Sequence, residues 1–267
     1  MSFEGKVAIV TGGARNIGRG IALVLAWRGA NIVIADIDEE AARKTAEEIT
    51  ALGVQSMACR MDVTKKDSVQ RAVGRVLERF GQIDILVNNA GVIGKPGWAE
   101  FFPIREEDWD FCYEVNVKGM MIVSEVVAEH MKARRSGKIV NIASISGRAG
   151  RPVLPHYAAS KAAALNYNQA LALQLAPYNI NVNSVCPGIL RGPMFETLSL
   201  RYWRVNHPGE EPPSVDEAVN DAVQTRVPLK RVQTPEDIGN AVAFFASDDA
   251  VNITGQSLNV DGGNFLN

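Results

Sequence analysis

The chain has 267 residues, 46% of them hydrophobic, and a formal net charge of −2. That is enough for one large domain with a substantial core, and the near-neutral balance lacks the basic stripe that nucleic-acid binding needs. No apolar run reaches the roughly 18 residues of a membrane span, and no leader-like segment opens the chain. Cys59, Cys112 and Cys186 have neither disulfide-framework nor metal-ligand spacing, which points to a reducing cytoplasm.

Taken in chain order, the apolar run 7–10 predicts a strand, and a glycine-rich turn then leads into a helix over 17–27. A strand at 31–35, a helix at 39–52, a strand at 54–59 and a helix at 66–80 follow. The second half continues with a strand at 83–87, one long helix over 107–134, a strand at 138–142, a helix over 157–175 and a strand at 179–184. A helix at 235–246 and a strand at 256–260 close the pattern. Strand and helix alternating in this way make βαβ units, so the expected fold is α/β, with a doubly wound parallel sheet of about seven strands in one domain. The strands are almost continuously apolar, as in sheets covered on both faces. Only 190–226 breaks the alternation: it has no clean strand, and Pro193, Pro208, Pro212 and Pro213 are expected to interrupt any long helix. A segment of this length beyond the sixth strand reads as a lid over the carboxyl edge of the sheet.

Two motifs carry chemistry. The first is Thr11-Gly12-Gly13-Ala14-Arg15-Asn16-Ile17-Gly18, at the turn from first strand to first helix. Glycines there let backbone approach a pyrophosphate at the positive end of the helix. Asp36, at the end of the second strand, stands where a carboxylate accepts hydrogen bonds from the adenosine ribose, with Ile37 next to it. As a plain helix cap Asp36 is redundant with Asp38. A carboxylate repels a 2′-phosphate, so Asp36 favours NAD, whereas Arg15 is the residue that favours NADP; Asp36 carries the greater weight. The second motif is Tyr157-Ala158-Ala159-Ser160-Lys161, with Ser144 upstream. At i, i+4 on a helix the phenol and the ammonium share a face. The ammonium favours the phenolate, and such a phenol can exchange a proton with an alcohol or carbonyl.

Thr11-Gly12, Asn16-Ile17-Gly18, Asp62-Val63, Asn88-Asn89-Ala90-Gly91, Asn116, Ser144, Tyr157-x-x-x-Lys161 and Pro187-Gly188 occur in that order. The pattern resembles the short-chain dehydrogenase/reductase family of single-domain, Rossmann-type enzymes over essentially the whole chain. The resemblance implies that Asp62 and Val63 meet the adenine, that Asn89, Ala90 and Gly91 line the cofactor and brace the sheet, and that Pro187, Gly188 and Ile189 pack near the nicotinamide. It implies a catalytic set in which Asn116 holds a relay water, Ser144 orients the substrate oxygen, Tyr157 moves the proton, and Lys161 binds the nicotinamide ribose. It also implies a homotetramer built on the helices 107–134 and 157–175. One position departs from the family: Asn16 replaces the second glycine of the phosphate loop, a residue that tolerates left-handed backbone.

The substrate is less legible. The positions expected to face it lie in 94–98, 146–156 and 190–226, and the candidates are Ser146, Arg148, Arg151, His156, Arg191, Met194 and Phe195. Trp98, Tyr202, Trp203, Lys95 and Arg201 lie in the same stretches. Most of these cations read as a solvated rim; arginine also suits planar anions, so a small-molecule substrate that is anionic or polyhydroxylated stays open beside that reading. The stretch from Ile253-Thr254-Gly255 to Asp261-Gly262-Gly263 and the aromatic lid resemble family members acting on polyols and vicinal diols. The leading expectation is NAD-linked oxidation of a secondary alcohol in a small polyol, sugar or hydroxy acid. An NADPH-dependent 3-oxoacyl or other ketone reductase, and a non-catalytic dinucleotide sensor or scaffold, stay open as alternatives. A serine hydrolase does not, because Ile142-Ala143-Ser144-Ile145-Ser146 is no nucleophile elbow.

Overall fold

The computed structural model describes residues 2–100, 103–211 and 213–266; Pro212, one of the expected interruptions, lies outside the described residues. Seven strands, β1 (Val7–Thr11), β2 (Asn31–Asp36), β3 (Ser56–Arg60), β4 (Ile85–Asn88), β5 (Gly137–Ile142), β6 (Ile180–Pro187) and β7 (Ser257–Val260), pair in the order β3-β2-β1-β4-β5-β6-β7. Every pairing is parallel. The direction of winding reverses between β1 and β4, and the crevice beyond their carboxyl ends is where such sheets bind ligands.

The strands can be apolar throughout because both faces are covered. Alternate side chains go to opposite layers. Ala8, Val10, Ile32 and Ile34 pack with α1 (Asn16–Trp27), α2 (Glu39–Thr50) and α9 (Pro235–Ala246). Val7, Ile9 and Val33 pack with α3 (Lys66–Phe80), α5 (Met120–Arg134) and α6 (Pro155–Leu175). Each fully buried Val or Ile contributes about 1.5–3 kcal/mol. Local signals set the helix ends: the Asp38 carboxylate accepts from Ala41 N–H at 3.0 Å to cap α2, and Gly81 ends α3 at φ 74°. No helix among the described residues is long and apolar enough to cross a membrane.

Two regions differ from the sequence expectation. The single helix expected over 107–134 is α4 (Glu106–Tyr113) and α5 joined by a π-helical segment, Glu114–Gly119. Such bulges occur mostly at functional sites, and this one contains Asn116. The lid is a pair of helices, α7 (Pro193–Asn206) and α8 (Val215–Arg226). Pro193 begins α7 instead of breaking it, since a proline in the first turn has no N–H to lose. Arg201 of α7 fastens the lid: it is buried, donates to Val153 O at 2.9 Å and Ala99 O at 2.8 Å, and lies 5.2 Å from the Trp98 ring centroid.

Candidate active site

One cavity of about 650 Å³ follows the carboxyl edge of the sheet from the glycine-rich turn to the lid. Every residue expected to hold the dinucleotide lines it. The turn is held open from behind. Thr11 Oγ1 accepts from Asn89 N–H at 3.0 Å and Ala90 N–H at 3.1 Å, while Asn89 Nδ2 donates to Thr11 O at 3.0 Å and Gly12 O at 2.9 Å. Asn16 takes φ 48°, the left-handed backbone that its side chain tolerates. A Cβ on Gly18 would stand 2.1 Å from Gly12 O, so only glycine fits there. Arg15, the N-cap of α1, provides no side-chain cap, which leaves the first-turn N–H groups facing an anion site. The turn therefore fits a pyrophosphate.

At the adenosine end Asp36 lines the cavity as a braced carboxylate: Oδ2 accepts from Ala14 N–H at 3.0 Å and Oδ1 from Asp38 N–H at 3.1 Å. Asp38 is the helix cap, so Asp36 is not needed for that task. Arg15 lies against Asp38 at 2.5 Å on the surface, its charge already matched. Ile37, 61% exposed, and Val63 add apolar surface, and Asp62 Oδ1 accepts from Thr64 N–H and Oγ1 at 3.0 and 2.7 Å.

Midway along the cavity Ser144, Tyr157 and Lys161 come together. Ser144 follows β5 and its Oγ accepts from Ser146 N–H at 3.1 Å, while its hydroxyl lies close enough to the Tyr157 phenol to pull its pKa down. Lys161 is buried, donates from Nζ to Ile142 O at 2.9 Å, and lies 5.8 Å from the Tyr157 ring centroid. Burial pushes the Tyr157 phenol up to about 12, against the pull of Ser144, and pushes the Lys161 ammonium down to about 8. The sequence reading expected the ammonium to make the phenol acidic. In the free protein desolvation raises the phenol, and Ser144 is the group that pulls it down.

Asn116 does not line the cavity among the described residues; it stands behind Gly91. Its Oδ1 accepts from Val92 N–H at 2.8 Å, and its Nδ2 donates to Val92 O at 2.8 Å and Ser160 Oγ at 3.0 Å. A Cβ on Gly91 would come within 3.3 Å of Asn116 Oδ1 and 3.4 Å of Lys161 Nζ. The side chain clamps the post-β4 loop to the catalytic helix, a task that the relay expectation did not include.

The substrate candidates divide. Ser146, Arg151, Arg191, Met194 and Phe195 line the cavity; Arg148 and His156 do not. Arg148 donates to Ser257 O at 2.8 Å and so ties the segment after β5 to β7. His156 is fully buried between Trp98 and Trp109, with Nε2 2.6 Å from Ile93 O, and burial holds its imidazole below its usual pKa. One step along a helix turns a side chain about 100°, which sends His156 away from the face that carries Tyr157. Lys95 pairs with Glu107, Trp98 is buried, and Trp203 stacks on His207 at 3.8 Å. The sequence reading gave no role to Ile93 and Asn264 and did not single out Leu198 and Arg226 within 190–226; all four line the cavity. Asn141 and Asn168 were also missed. They continue a buried chain from Asn88, each link 2.9 Å. The only signal for that chain was asparagine in apolar surroundings.

A family model described as short chain dehydrogenase matches residues 6–203. Galactitol 2-dehydrogenase of Agrobacterium fabrum is 39% identical over 100% of both chains. The 3-oxoacyl-(acyl-carrier-protein) reductase of Thermotoga maritima is 35% identical over 98% of this chain and 99% of its own. A crystal structure of an NAD+-bound xylitol dehydrogenase superposes with a TM-score of 0.90 at 34% identity, covering 98% of this chain and 100% of that one. The likenesses to these three proteins extend over nearly the whole chain, with a cavity that fits a nicotinamide dinucleotide. The chain belongs to the short-chain dehydrogenase/reductase family, as an oxidoreductase acting on alcohol groups.

Proposed function

We propose that the protein, working as one domain, oxidises a secondary alcohol in a small polyol, sugar or hydroxy acid with NAD. The observation that carries this is the meeting of Tyr157, Ser144 and Lys161 on one cavity wall, in line with the glycine-rich turn. When bound, the dinucleotide supplies the hydride acceptor, so that an alcohol and NAD+ become a ketone, NADH and a proton. The chain's own groups handle the oxygen and its proton. The Ser144 hydroxyl holds the carbinol oxygen, Tyr157 takes its proton as general base, and Lys161 holds positive charge beside the phenolate that does so. Asn116 keeps Val92 and Ser160 in place around them, and we keep for it the proton-relay role as well.

NAD is favoured over NADP by charge. Asp36 lines the adenosine end of the cavity, and Arg15 is engaged with Asp38. The names of the relatives, galactitol 2-dehydrogenase and xylitol dehydrogenase, support a polyol-like substrate. We further propose a homotetramer, supported by Leu173, which is 78% exposed on α6, and a cytoplasmic setting, supported by three free buried cysteines. A second reading, reduction of a 3-oxoacyl group by NADPH, draws on the Thermotoga maritima relative. The test is NADH formation by the purified protein with NAD and a panel of alditols and hydroxy acids, beside NADPH consumption with a 3-oxoacyl thioester. Consumption of NADPH alone selects the second reading. No turnover in either assay, with dinucleotide still bound, leaves the sensor.

A further inference from the structure

Charge is distributed unevenly around the cavity. Its acidic lining residues, Asp36 and Asp62, both belong to the adenosine end. Beyond Tyr157 the described lining has no carboxylate but three arginines, Arg151, Arg191 and Arg226. Arg191 is matched by Asp216 of α8. Arg151 and Arg226 form no ion pair among the described residues. The Arg151 Nε is buried without a hydrogen-bond partner. The Arg226 guanidinium lies 4.8 Å from the ring centroid of Tyr202, which also lines the cavity and packs in the cluster of Val153, Leu154 and Tyr157. Arg226 thus covers an aromatic wall next to the catalytic phenol from the end of α8, and Arg151 enters the same cavity from the post-β5 loop.

A buried donor without an acceptor, on a charged group, is costly unless a ligand completes it. A guanidinium fork matches the two oxygens of a carboxylate or phosphate. We infer that the substrate carries an anionic group, a carboxylate or phosphate, on the arm remote from the reacting carbinol, and that Arg151 and Arg226 receive it. This deepens the dehydrogenase reading and rests on it. The substrate class becomes polyhydroxylated acids or sugar-alcohol phosphates, with neutral polyols as the poorer relatives of the true substrate.

The test compares an alditol, the aldonate of equal carbon number and the corresponding alditol phosphate, with NAD, at constant ionic strength. One anionic member is expected to exceed the neutral one in kcat/KM by about tenfold or more, and which one does so identifies the group. In the double variant Arg151→Gln/Arg226→Gln the anionic-to-neutral ratio is expected to fall at least about tenfold. A second readout needs no turnover: with NADH present, gluconate or inorganic phosphate raises the Tm of the wild type above a sodium chloride control, and does so less in the double variant. Turnover of neutral alditols with no anion preference and no anion-specific Tm shift overturns the anion site and leaves the dehydrogenase intact. A Tm shift lost in the variant, with no member oxidised, keeps the anion site and rejects the reaction assigned to it.

Discussion

The two ends of the cleft are held by different kinds of interaction. At the dinucleotide end, short polar side chains fix backbone: Thr11, Asn89, Asp36 and Asn116 each bond main-chain groups of another segment at 3.1 Å or less. Such side chains lose little rotamer entropy when ordered, and they hold loops at the tips of buried strands. At the lid end the anchor is one long cation, Arg201, over an apolar cluster, and the outer face is held by an exposed Arg191–Asp216 pair. The first arrangement builds a preformed site; the second builds a cover that can open, since lids are drawn from the less stable parts of a fold.

The sharpest test of the preformed end is Tyr157→Phe. Turnover should fall by about 10²–10⁴-fold, the size of a general-base contribution, while dinucleotide affinity measured by calorimetry changes only slightly. Full activity in that variant would end the proposed chemistry.

Lys161→Met tests the buried charge. The folded pKa of Lys161 lies at about 8, below its ordinary 10.5, so between those values the unfolded chain holds a proton that the folded one has released. Stability from this group therefore rises with pH across the window. Wild type should gain up to about 3 kcal/mol relative to Lys161→Met between pH 8 and 10.5. Parallel urea titrations that show no relative gain would mean that the ammonium is better solvated than its burial implies.

Asp36→Ala should raise the NADP-to-NAD ratio of kcat/KM by about 10–100-fold, the effect of removing a like charge from beside a 2′-phosphate. An unchanged ratio would transfer the choice to Arg15. At the other end, Arg201→Met should cost about 1–3 kcal/mol in denaturant unfolding, because two buried carbonyls lose a donor. It should also raise KM more than it lowers kcat. Equal loss in both would make the lid part of the preformed site. Smallest of all, Arg191→Ala should change stability by less than about 0.5 kcal/mol, as expected of an exposed ion pair; a larger loss in thermal melts would show that the outer face does fasten the cover.

What could be read from the chain in advance follows the same division. The alternation of apolar strands with helices is a local, periodic signal, and it yielded the parallel sheet with its order of elements. Gly12 and Asp36 were legible because each stands at a strand end, where βαβ geometry dictates what it faces; Asp62, Asn89 and Pro187 were legible through the family resemblance. The substrate residues had no such frame. His156 and Arg148 carry the right chemistry at neighbouring positions, yet helix phase turns one between Trp98 and Trp109 and β7 captures the other.

The sequence by itself determined the doubly wound sheet, the glycine-rich turn and the phenol–ammonium pair one helical turn apart. Tertiary structure decided the rest: the π-helical segment that lets Asn116 clamp Val92, the desolvation that pushes Tyr157 up to about 12, and the pairing of Arg191 that leaves Arg151 and Arg226 as the lid-end arginines of the cavity without an ion pair among the described residues. The reason is that spacing along a chain fixes which face of an element a side chain occupies. Burial, and the partner it meets there, come from segments distant in sequence.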